Sequence, residues 1–131
     1  MGKWNLYDQN GNKLNEIGIR GLPLQEEKYH LVVEIWTIND KNEILITQRD
    51  KDKPFGLLWK CTGGSMSAGD SSIEGAVRKL YEETGLKANK NDLEKVGRTF
   101  MDQSIYDIYV YRYNFDLADV CLQEGEIVAV Q

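Results

Sequence analysis

Two patterns of hydrophobic residues organise the chain: short runs of β-forming residues and one stretch with helical spacing. Residues 30–38 form the strongest run, rich in branched and aromatic side chains, and predict a central strand. Turn-forming residues at 39–42 lead into a return strand at 43–49. Weaker runs predict further strands at residues 4–7, 59–62 (ending at Gly63 and Gly64), 93–101, 105–115 and 126–130.

The helical spacing lies in residues 71–84, where apolar side chains recur three or four positions apart and define one buried stripe. The stripe consists of Ile73, Ala76, Val77, Leu80 and Thr84. Ser71 and Glu74 fit the capping box that begins a helix, and Gly85 is a natural C-terminal stop. The pattern therefore predicts one well-capped helix.

The remaining segments predict turns and irregular structure. Residues 8–12 carry a strong turn signal, and residues 13–28 are mixed and polar, with breaks at Gly21 and Pro23. Residues 50–58 predict a loop. Because strands outnumber helices, we expect an α+β fold with a mixed β-sheet.

Length and charge limit the functions that the chain can have. Its 131 residues contain no repeat or linker, so we expect one domain over residues 1–131, with residues 1–28 as an N-terminal strand-and-turn extension. The net charge of −5 argues against nonspecific binding to nucleic acid, which needs a positive surface. No stretch approaches the ~20 apolar residues that span a bilayer, and the start lacks the apolar core of a secretory signal. We therefore expect a soluble cytoplasmic protein without a nucleic-acid or membrane partner.

Cysteine and histidine are too sparse for a zinc site of the usual kind. Cys61 and Cys121 lie far apart in the sequence, neither has a CxxC neighbour, and His30 is the only histidine. A reduced compartment is the simplest interpretation of this cysteine usage.

Oxygen ligands for a metal are concentrated on the polar face of the predicted helix. Glu82 and Glu83 are adjacent, so their carboxylates project about 100° apart around the axis and can flank one hard cation. Gly63 and Gly64 would let the backbone approach that cation, and the Gly64 carbonyl could be a further oxygen ligand. The alternative is an ordinary amphipathic helix with a solvated charged face.

The order of these residues resembles the Nudix box, G-x5-E-x7-R-E-U-x-E-E-x-G-U, in which U is a bulky aliphatic residue. Residues 64–86 match most of its fixed positions, and the residues that stand at its spacing are Gly64, Asp70, Arg78, Leu80, Glu82, Glu83, Gly85 and Leu86. The strand pair before the box and the approach from Trp59 extend the likeness to roughly residues 30–115. On these motifs the chain resembles the Nudix hydrolase family.

The resemblance implies an α/β/α sandwich around a mixed sheet, and hydrolysis of a pyrophosphate bond in a nucleoside diphosphate-linked or similar small molecule. It implies Mg²⁺ or Mn²⁺ as the cofactor, held by Glu82 and Glu83. Arg78 would orient these carboxylates. Asp70 would pair with Arg78 where the loop joins the helix, and Gly85 would have a structural role.

Two positions depart from the box. Asp70 replaces a glutamate and keeps its charge, so we expect only a slightly altered salt bridge. Lys79 also replaces a glutamate and reverses the charge. It can pair with Glu83 one turn away and compete with magnesium, or it can turn outward into solvent. A metal-dependent hydrolase is the first hypothesis, and a degenerate domain that binds a nucleotide or protein partner without catalysis is the second.

A further resemblance is to the branch of the family that contains isopentenyl diphosphate isomerase, through residues 29–33, 48–49 and 58–59. The isomerase also needs a cysteine where this chain has Gly64 and a histidine where it has Met66. Isomerase-like chemistry is therefore a third and weaker hypothesis.

Three more residues are candidates for the neighbourhood of the site. In the isomerase a histidine at the place of His30 binds metal, and the alternative is a hydrogen-bonded histidine at the start of a strand. Glu34 is unusual in an apolar strand and faces either the site or the solvent. Arg49 suits a substrate phosphate, and a surface ion pair is an equal alternative.

Nudix domains usually carry a further helix after the last strand, whereas this sequence stops at Gln131. The sheet face there can be covered by a partner subunit, be covered by residues 13–28, or be exposed because the chain is shortened. A homodimer is the hypothesis that follows from the first of these.

Overall fold

The computed structural model describes residues 2–24, 26–48, 58–120 and 127–130. Its strands are β1 (Lys3–Tyr7), β2 (Lys13–Ile19), β3 (His30–Ile38), β4 (Leu45–Gln48), β5 (Trp59–Lys60), β6 (Thr62–Ser65), β7 (Leu93–Met101), β8 (Ser104–Arg112) and β9 (Ile127–Val130). Its helices are α1 (Ser72–Thr84) and the short 3-10 helices Lys90–Asp92 and Leu117–Asp119. No helix in these ranges is both long and apolar enough to cross a membrane.

The central sheet has four strands in the order β6-β3-β8-β7. β3 and β8 run parallel, from His30 beside Ser104 to Ile38 beside Arg112, and the two outer strands pair antiparallel. β5, β4 and β9 form a second sheet of three strands, and β1 and β2 form a hairpin. A mixed sheet with α1 packed on β3 and β6 confirms the predicted α+β class.

The alternation of residues along β3 decides which face of the sheet carries the helix. Leu31, Val33 and Ile35 are buried and share one hydrophobic core with Ala76 and Leu80 of α1. Complete burial of side chains of this size contributes about 1.5–3 kcal/mol each, so this face holds α1 on the sheet. The intervening residues of β3 point to the opposite face and are half-buried.

α1 begins and ends at the caps predicted from the sequence. The Ser71 hydroxyl accepts a hydrogen bond from the Glu74 backbone N–H and donates one to the Glu74 carboxylate at 2.6 Å. Gly85 has a left-handed φ of 77°, and its N–H donates to the Tyr81 carbonyl. The cap at Gly85 holds the last turn of the helix, which carries the two adjacent glutamates.

Parts of the strand prediction are wrong. Residues 13–19 form the strand β2, where the sequence predicts turns and irregular structure. Their sequence lacks the alternation of apolar and polar residues that predicts a strand, and their side chains are mostly exposed. The short strand expected at 59–62 is divided between β5 and β6, and β6 continues through both glycines to Ser65. The strand expected at 105–115 ends at Arg112.

β6 requires a glycine at position 63. A Cβ atom there would lie 2.3 Å from the carbonyl oxygen of Val33, far inside van der Waals contact. Gly63 therefore allows the close approach of β6 to β3. From the sequence alone, the pair of glycines at 63 and 64 predicts the end of a strand.

A buried carboxylate that the sequence analysis missed connects α1 to the sheet. Asp107 on β8 is fully buried and accepts two hydrogen bonds from Arg98 on β7, at 2.6 and 2.9 Å. Ser72, at the start of α1, donates another at 2.7 Å and lies 2.6 Å from the Tyr109 hydroxyl. Burial raises the pKa of Asp107, but the hydrogen bonds from Arg98 and Ser72, together with the positive charges of Arg98 and Lys95, hold the pKa below its ordinary value.

The β1–β2 hairpin packs against the start of β3. The Trp4 indole stacks on the His30 imidazole with ring centroids 3.9 Å apart and an angle of 8° between the planes. Tyr7 and Tyr29 exchange two backbone hydrogen bonds of 2.9 Å. The turn predicted at 8–12 closes the hairpin.

Candidate metal and phosphate site

The polar face of α1 carries a chain of ion pairs centred on Arg78. Its guanidinium lies 2.5 Å from a carboxylate oxygen of Asp70 and 3.2 Å from one of Glu82. The structure therefore brings Asp70 and Arg78 together, although aspartate is one methylene shorter than the glutamate of the box. The side chains of Arg78 and Glu82 are 39% and 40% exposed, so solvent and ligands can reach this pair.

Glu83 is buried beside β5 and β6. It is only 6% exposed, and its Oε1 accepts hydrogen bonds from Lys60 Nζ at 3.0 Å and from the Gly63 backbone N–H at 3.3 Å. Lys60 lies on β5, so this ion pair connects the helix to the second sheet. The two neighbouring glutamates thus have different surroundings, one deep and one at the surface.

The register of β6 decides which glycine carbonyl points toward these carboxylates. β6 is an edge strand of the central sheet. The Met66 N–H donates to the Leu31 carbonyl, and two residues earlier the register places Gly64 opposite Val33. Alternate residues of a strand direct their backbone groups to the same side, so Gly64 faces β3 and Gly63 faces the open edge. The register thus shifts the candidate carbonyl ligand from Gly64 to Gly63.

Lys79, the residue that reverses a charge of the box, lies against β6. A Cβ atom placed on Gly64 would be 3.3 Å from Lys79 Nζ and 3.4 Å from its Cε, so the lysine occupies space that the glycine leaves open. Within the described part of the chain Lys79 makes no ion pair, and the cation that pairs with Glu83 is Lys60. Of the two positions left open by the sequence, pairing with Glu83 or turning outward into solvent, the structure does not show the pairing, because the glycine provides another position for the ammonium group.

The donor set at this edge suits a divalent metal that also binds a substrate. Magnesium in proteins is commonly held by one or two carboxylates together with water and substrate phosphates. Glu82 and Glu83 offer two such carboxylates. Among the residues that the structure describes, no group of three or more His, Cys, Asp or Glu side chains could hold a metal. A metal here would therefore complete its coordination with phosphate oxygens and water.

A cavity of about 570 Å³ shares Lys60 with this site. It is lined by Glu34, Trp36, Ile44, Ile46, Trp59, Lys60 and Cys61. Its aromatic and aliphatic walls suit a flat or apolar group, and its few polar side chains can orient that group. The sequence leaves open whether Glu34 faces the site or the solvent. In the structure Glu34 lines a cavity next to the site.

Cys61 in the cavity wall is a thiol at neutral pH. Burial, with the Glu34 carboxylate nearby, raises its pKa to about 11. The nucleophilic form of cysteine is the thiolate, so this residue is inert under ordinary conditions. Isomerase-like chemistry therefore gains no support from Cys61.

His30 contacts the hairpin and β8. Its Nε2 lies 2.9 Å from Ser104 Oγ, and its ring stacks on Trp4. Burial and the positive charge of Arg20 lower its pKa. This is the arrangement of a hydrogen-bonded histidine at the start of a strand. Arg49 lies outside the described residues.

A family model described as the NUDIX domain matches residues 28–131. The chain belongs to the Nudix family. The matched residues of this Nudix domain include the central sheet, α1 and the box, and they begin after the β1–β2 hairpin.

Known proteins resemble this Nudix domain in sequence and in fold. An uncharacterized Nudix hydrolase of Listeria innocua is 28% identical over 133 residues, which cover 100% of this chain and 79% of that protein. A crystal structure from Deinococcus radiodurans has a TM-score of 0.77 at 16% identity, over 98% of this chain and 81% of that one. A bifunctional NMN adenylyltransferase/ADP ribose pyrophosphatase of Francisella tularensis, solved with AMP and a Mn ion, has a TM-score of 0.61 at 19% identity, over 83% of this chain and 35% of that one. These likenesses confirm the predicted Nudix fold.

Sequence reasoning missed Lys60 as a site residue. It lies 23 positions from Glu83, and no motif connects the two. The signal that could have found the cavity is the alternation of β3, which places Glu34 and Trp36 on the face opposite the core.

Proposed function

We propose that this Nudix domain is a metal-dependent hydrolase that cleaves a pyrophosphate bond in a nucleoside diphosphate-linked or similar small molecule. The observation that carries the proposal is Glu83 on α1, a residue only 6% exposed that accepts a hydrogen bond from the Gly63 N–H of β6 and is next in sequence to the surface carboxylate of Glu82. Burying a carboxylate costs free energy, and such groups are concentrated at functional sites. Nudix enzymes act on pyrophosphate bonds, and this pair of carboxylates could bind the divalent ion that such a reaction needs.

Glu82 and Glu83 would hold the divalent ion, Mg²⁺ or Mn²⁺, with the Gly63 carbonyl as a further oxygen ligand. The Arg78 guanidinium orients Glu82 through its hydrogen bond of 3.2 Å. Asp70 holds Arg78 from the other side, so the loop before α1 also contributes to the position of the carboxylates. Glu82 and Glu83 would bind the metal, and Asp70 and Arg78 would orient them. Arg78 takes no part in the bonds that form or break.

The reaction forms a bond from a water oxygen to one phosphorus while the bond from that phosphorus to the bridging oxygen breaks. A proton leaves the water, and the departing phosphate takes one up from the solvent. A bound divalent ion would neutralise charge on the phosphate oxygens and lower the pKa of a coordinated water. The half-exposed position of Glu82 leaves its carboxylate open to that water.

The cavity beside Lys60 would hold the group that the diphosphate carries. Its walls include Trp36 and Trp59, whose rings suit a nucleobase or another flat group. The Glu34 carboxylate can accept hydrogen bonds from N–H groups of that ring. This supports a nucleoside or similar group as the linked part of the substrate.

Phosphate release from a panel of nucleoside diphosphate-linked compounds tests the proposal. We expect turnover with Mg²⁺ or Mn²⁺ and none with a chelator. The double variant Glu82→Gln/Glu83→Gln is expected to lose activity by about 100-fold or more. The matched control is Glu94→Gln, an exposed carboxylate on β7, which should keep full activity. A folded protein that releases no phosphate from any compound with either metal would contradict the proposal.

The second candidate function is binding of a nucleotide or a protein partner without turnover. Lys79 favours it, because a half-buried ammonium group stands where the box has a carboxylate. Equilibrium binding of the same compounds, followed by recovery of unaltered compound after long incubation with metal, would identify this function.

A homodimer stays a prediction from the sequence. Light scattering of the purified chain measures its mass in solution, and a mass of one chain at all concentrations would contradict the prediction.

A further inference from the structure

We infer that Lys60 and Lys79 bind the diphosphate of the substrate directly, so that this site holds pyrophosphate in the absence of a divalent metal. The inference deepens the proposed function because it concerns the same edge of β6. It depends on the two lysines and is independent of turnover.

Lys79 is placed to contact a ligand at this edge. Its ammonium lies beside Gly64, 3.3 Å from the position of a Cβ atom there, and it makes no ion pair in the described part of the chain. Lys79 is a half-buried residue whose ammonium lies against β6, with no counter-ion among the described residues. An anionic ligand at β6 would supply that counter-ion.

Lys60 lies at the junction between the carboxylates and the cavity. Its side chain is 23% exposed, and its Nζ is 3.0 Å from Glu83 Oε1. An ammonium group has three donors, so Lys60 can keep this hydrogen bond and donate to a phosphate oxygen as well. A diphosphate whose linked group occupies the cavity would pass Lys60.

Lysine at position 79 makes this edge two charges less negative than a glutamate there would. Three carboxylates (Asp70, Glu82 and Glu83) lie beside three cations (Lys60, Arg78 and Lys79), and Glu34 in the adjoining cavity adds one negative charge. With the glutamate that the box has at position 79, the same groups would carry a charge of about −3 in place of about −1. The more negative site repels a polyanion more strongly until a metal binds.

Lysine is also suited to this ligand chemically. Its ammonium is a compact point charge that forms strong charge-assisted hydrogen bonds to phosphate oxygens. The charge of Lys79 thus replaces part of the neutralisation that a metal supplies in a site built only from carboxylates.

Titration calorimetry with inorganic pyrophosphate in a buffer containing EDTA tests the inference. We expect the wild-type chain to bind. Lys79→Ala is expected to weaken this binding about tenfold, and Lys79→Glu to weaken it further because it adds repulsion. The matched control is Lys41→Glu, the same charge change at an exposed turn, which should bind like the wild type. Circular dichroism establishes that each variant is folded.

The same variants respond differently when magnesium is added. Lys79→Glu should regain pyrophosphate binding, because its extra carboxylate favours the metal, and its magnesium affinity should exceed that of the wild type. If Lys79→Glu binds magnesium normally and still does not regain pyrophosphate binding, the metal does not replace the lost ammonium at this site and the inference in this form is overturned.

The outcomes separate the inference from the proposed function. A wild-type chain that binds pyrophosphate only with magnesium overturns the inference and leaves the hydrolase proposal standing. Binding in EDTA that is equal in the wild type and the Lys79 variants overturns the assignment to Lys79. Binding in EDTA without turnover in any metal supports the inference and contradicts the hydrolase.

Discussion

The ammonium of Lys60 and the carboxylate of Glu83 form an ion pair of 3.0 Å between β5 and the last turn of α1. Glu83 is only 6% exposed, and its Oε1 accepts hydrogen bonds from Lys60 and from the Gly63 N–H, which compensate for part of its lost hydration. The same Lys60 lines the cavity. One lysine therefore connects the carboxylates, the second sheet and the pocket that we assign to the substrate.

Lys60→Met is expected to destabilise the metal-free chain by about 1–3 kcal/mol, because Glu83 loses its charged partner. The same variant should bind Mn²⁺ more tightly, because no ammonium competes for the carboxylate, and the metal should restore part of the lost stability. Chemical denaturation with and without Mn²⁺ measures both effects. Lys41→Met at an exposed turn is the control, and equal stability and metal affinity in the two variants would refute the prediction.

Arg98→Met is expected to lower the free energy of unfolding by about 3 kcal/mol, because it leaves the buried carboxylate of Asp107 without its main partner. Asp107 then retains Ser72 and a weaker contact of 3.4 Å with Lys95. Urea denaturation measures the loss, with Arg112→Met on the exposed end of β8 as the control. A loss no larger than that of the control would show that Asp107 is compensated by other groups.

Local patterns explain why much of the fold could be predicted. The alternation of β3 and the caps at Ser71 and Gly85 involve residues within a few positions of one another, and the structure contains both. The pairing of Arg98 with Asp107 could not be predicted, because it depends on the register of β7 and β8 and on the irregularity between Lys95 and Gly97. A register is decided by tertiary contacts that no short window of sequence contains.

In the candidate site, too, contacts within one segment could be predicted from the sequence, and contacts between separate elements could not. The contact between Asp70 and Arg78 follows from the spacing of the box, because these two residues lie on one helix and the loop before it. The position of Lys79 follows from the absence of a side chain at Gly64 on another element, whereas helical spacing alone left pairing with Glu83 and exposure to solvent as alternatives. Lys60 reaches Glu83 only because β5 is folded back beside α1.

Stability is expected to fall as the pH drops below neutrality because of His30. Burial and the Arg20 charge hold its pKa in the folded chain below the ordinary value of 6.5, so the unfolded chain takes up a proton first. The contribution of the neutral imidazole is complete above pH 6.5 and is lost as the pH falls from 6.5 toward the lowered pKa. Denaturation at several pH values in this window should show a steeper decline for the wild type than for His30→Gln. Parallel curves would be inconsistent with a lowered pKa.

Alkylation of Cys61 is expected to be slow at pH 8, because a pKa of about 11 leaves roughly one thiol in a thousand ionised. The rate should rise with pH up to about 11. A compound that fills the cavity should slow the reaction further, since Cys61 lines its wall. Mass spectrometry of a Cys121→Ser chain follows this single site, and rapid labelling at pH 8 would exclude a buried, protonated thiol.

In the proposed function, Glu82 and Glu83 hold a divalent metal together with the phosphates of a substrate. Calorimetric titration of Mn²⁺ in the presence of a non-hydrolysable nucleoside diphosphate compound measures this binding. We predict binding to the wild type and to Glu94→Gln, and affinity lower by about 100-fold or more in Glu82→Gln/Glu83→Gln. Equal affinity in all three folded proteins, or no binding to the wild type, would show that these two carboxylates do not hold the metal.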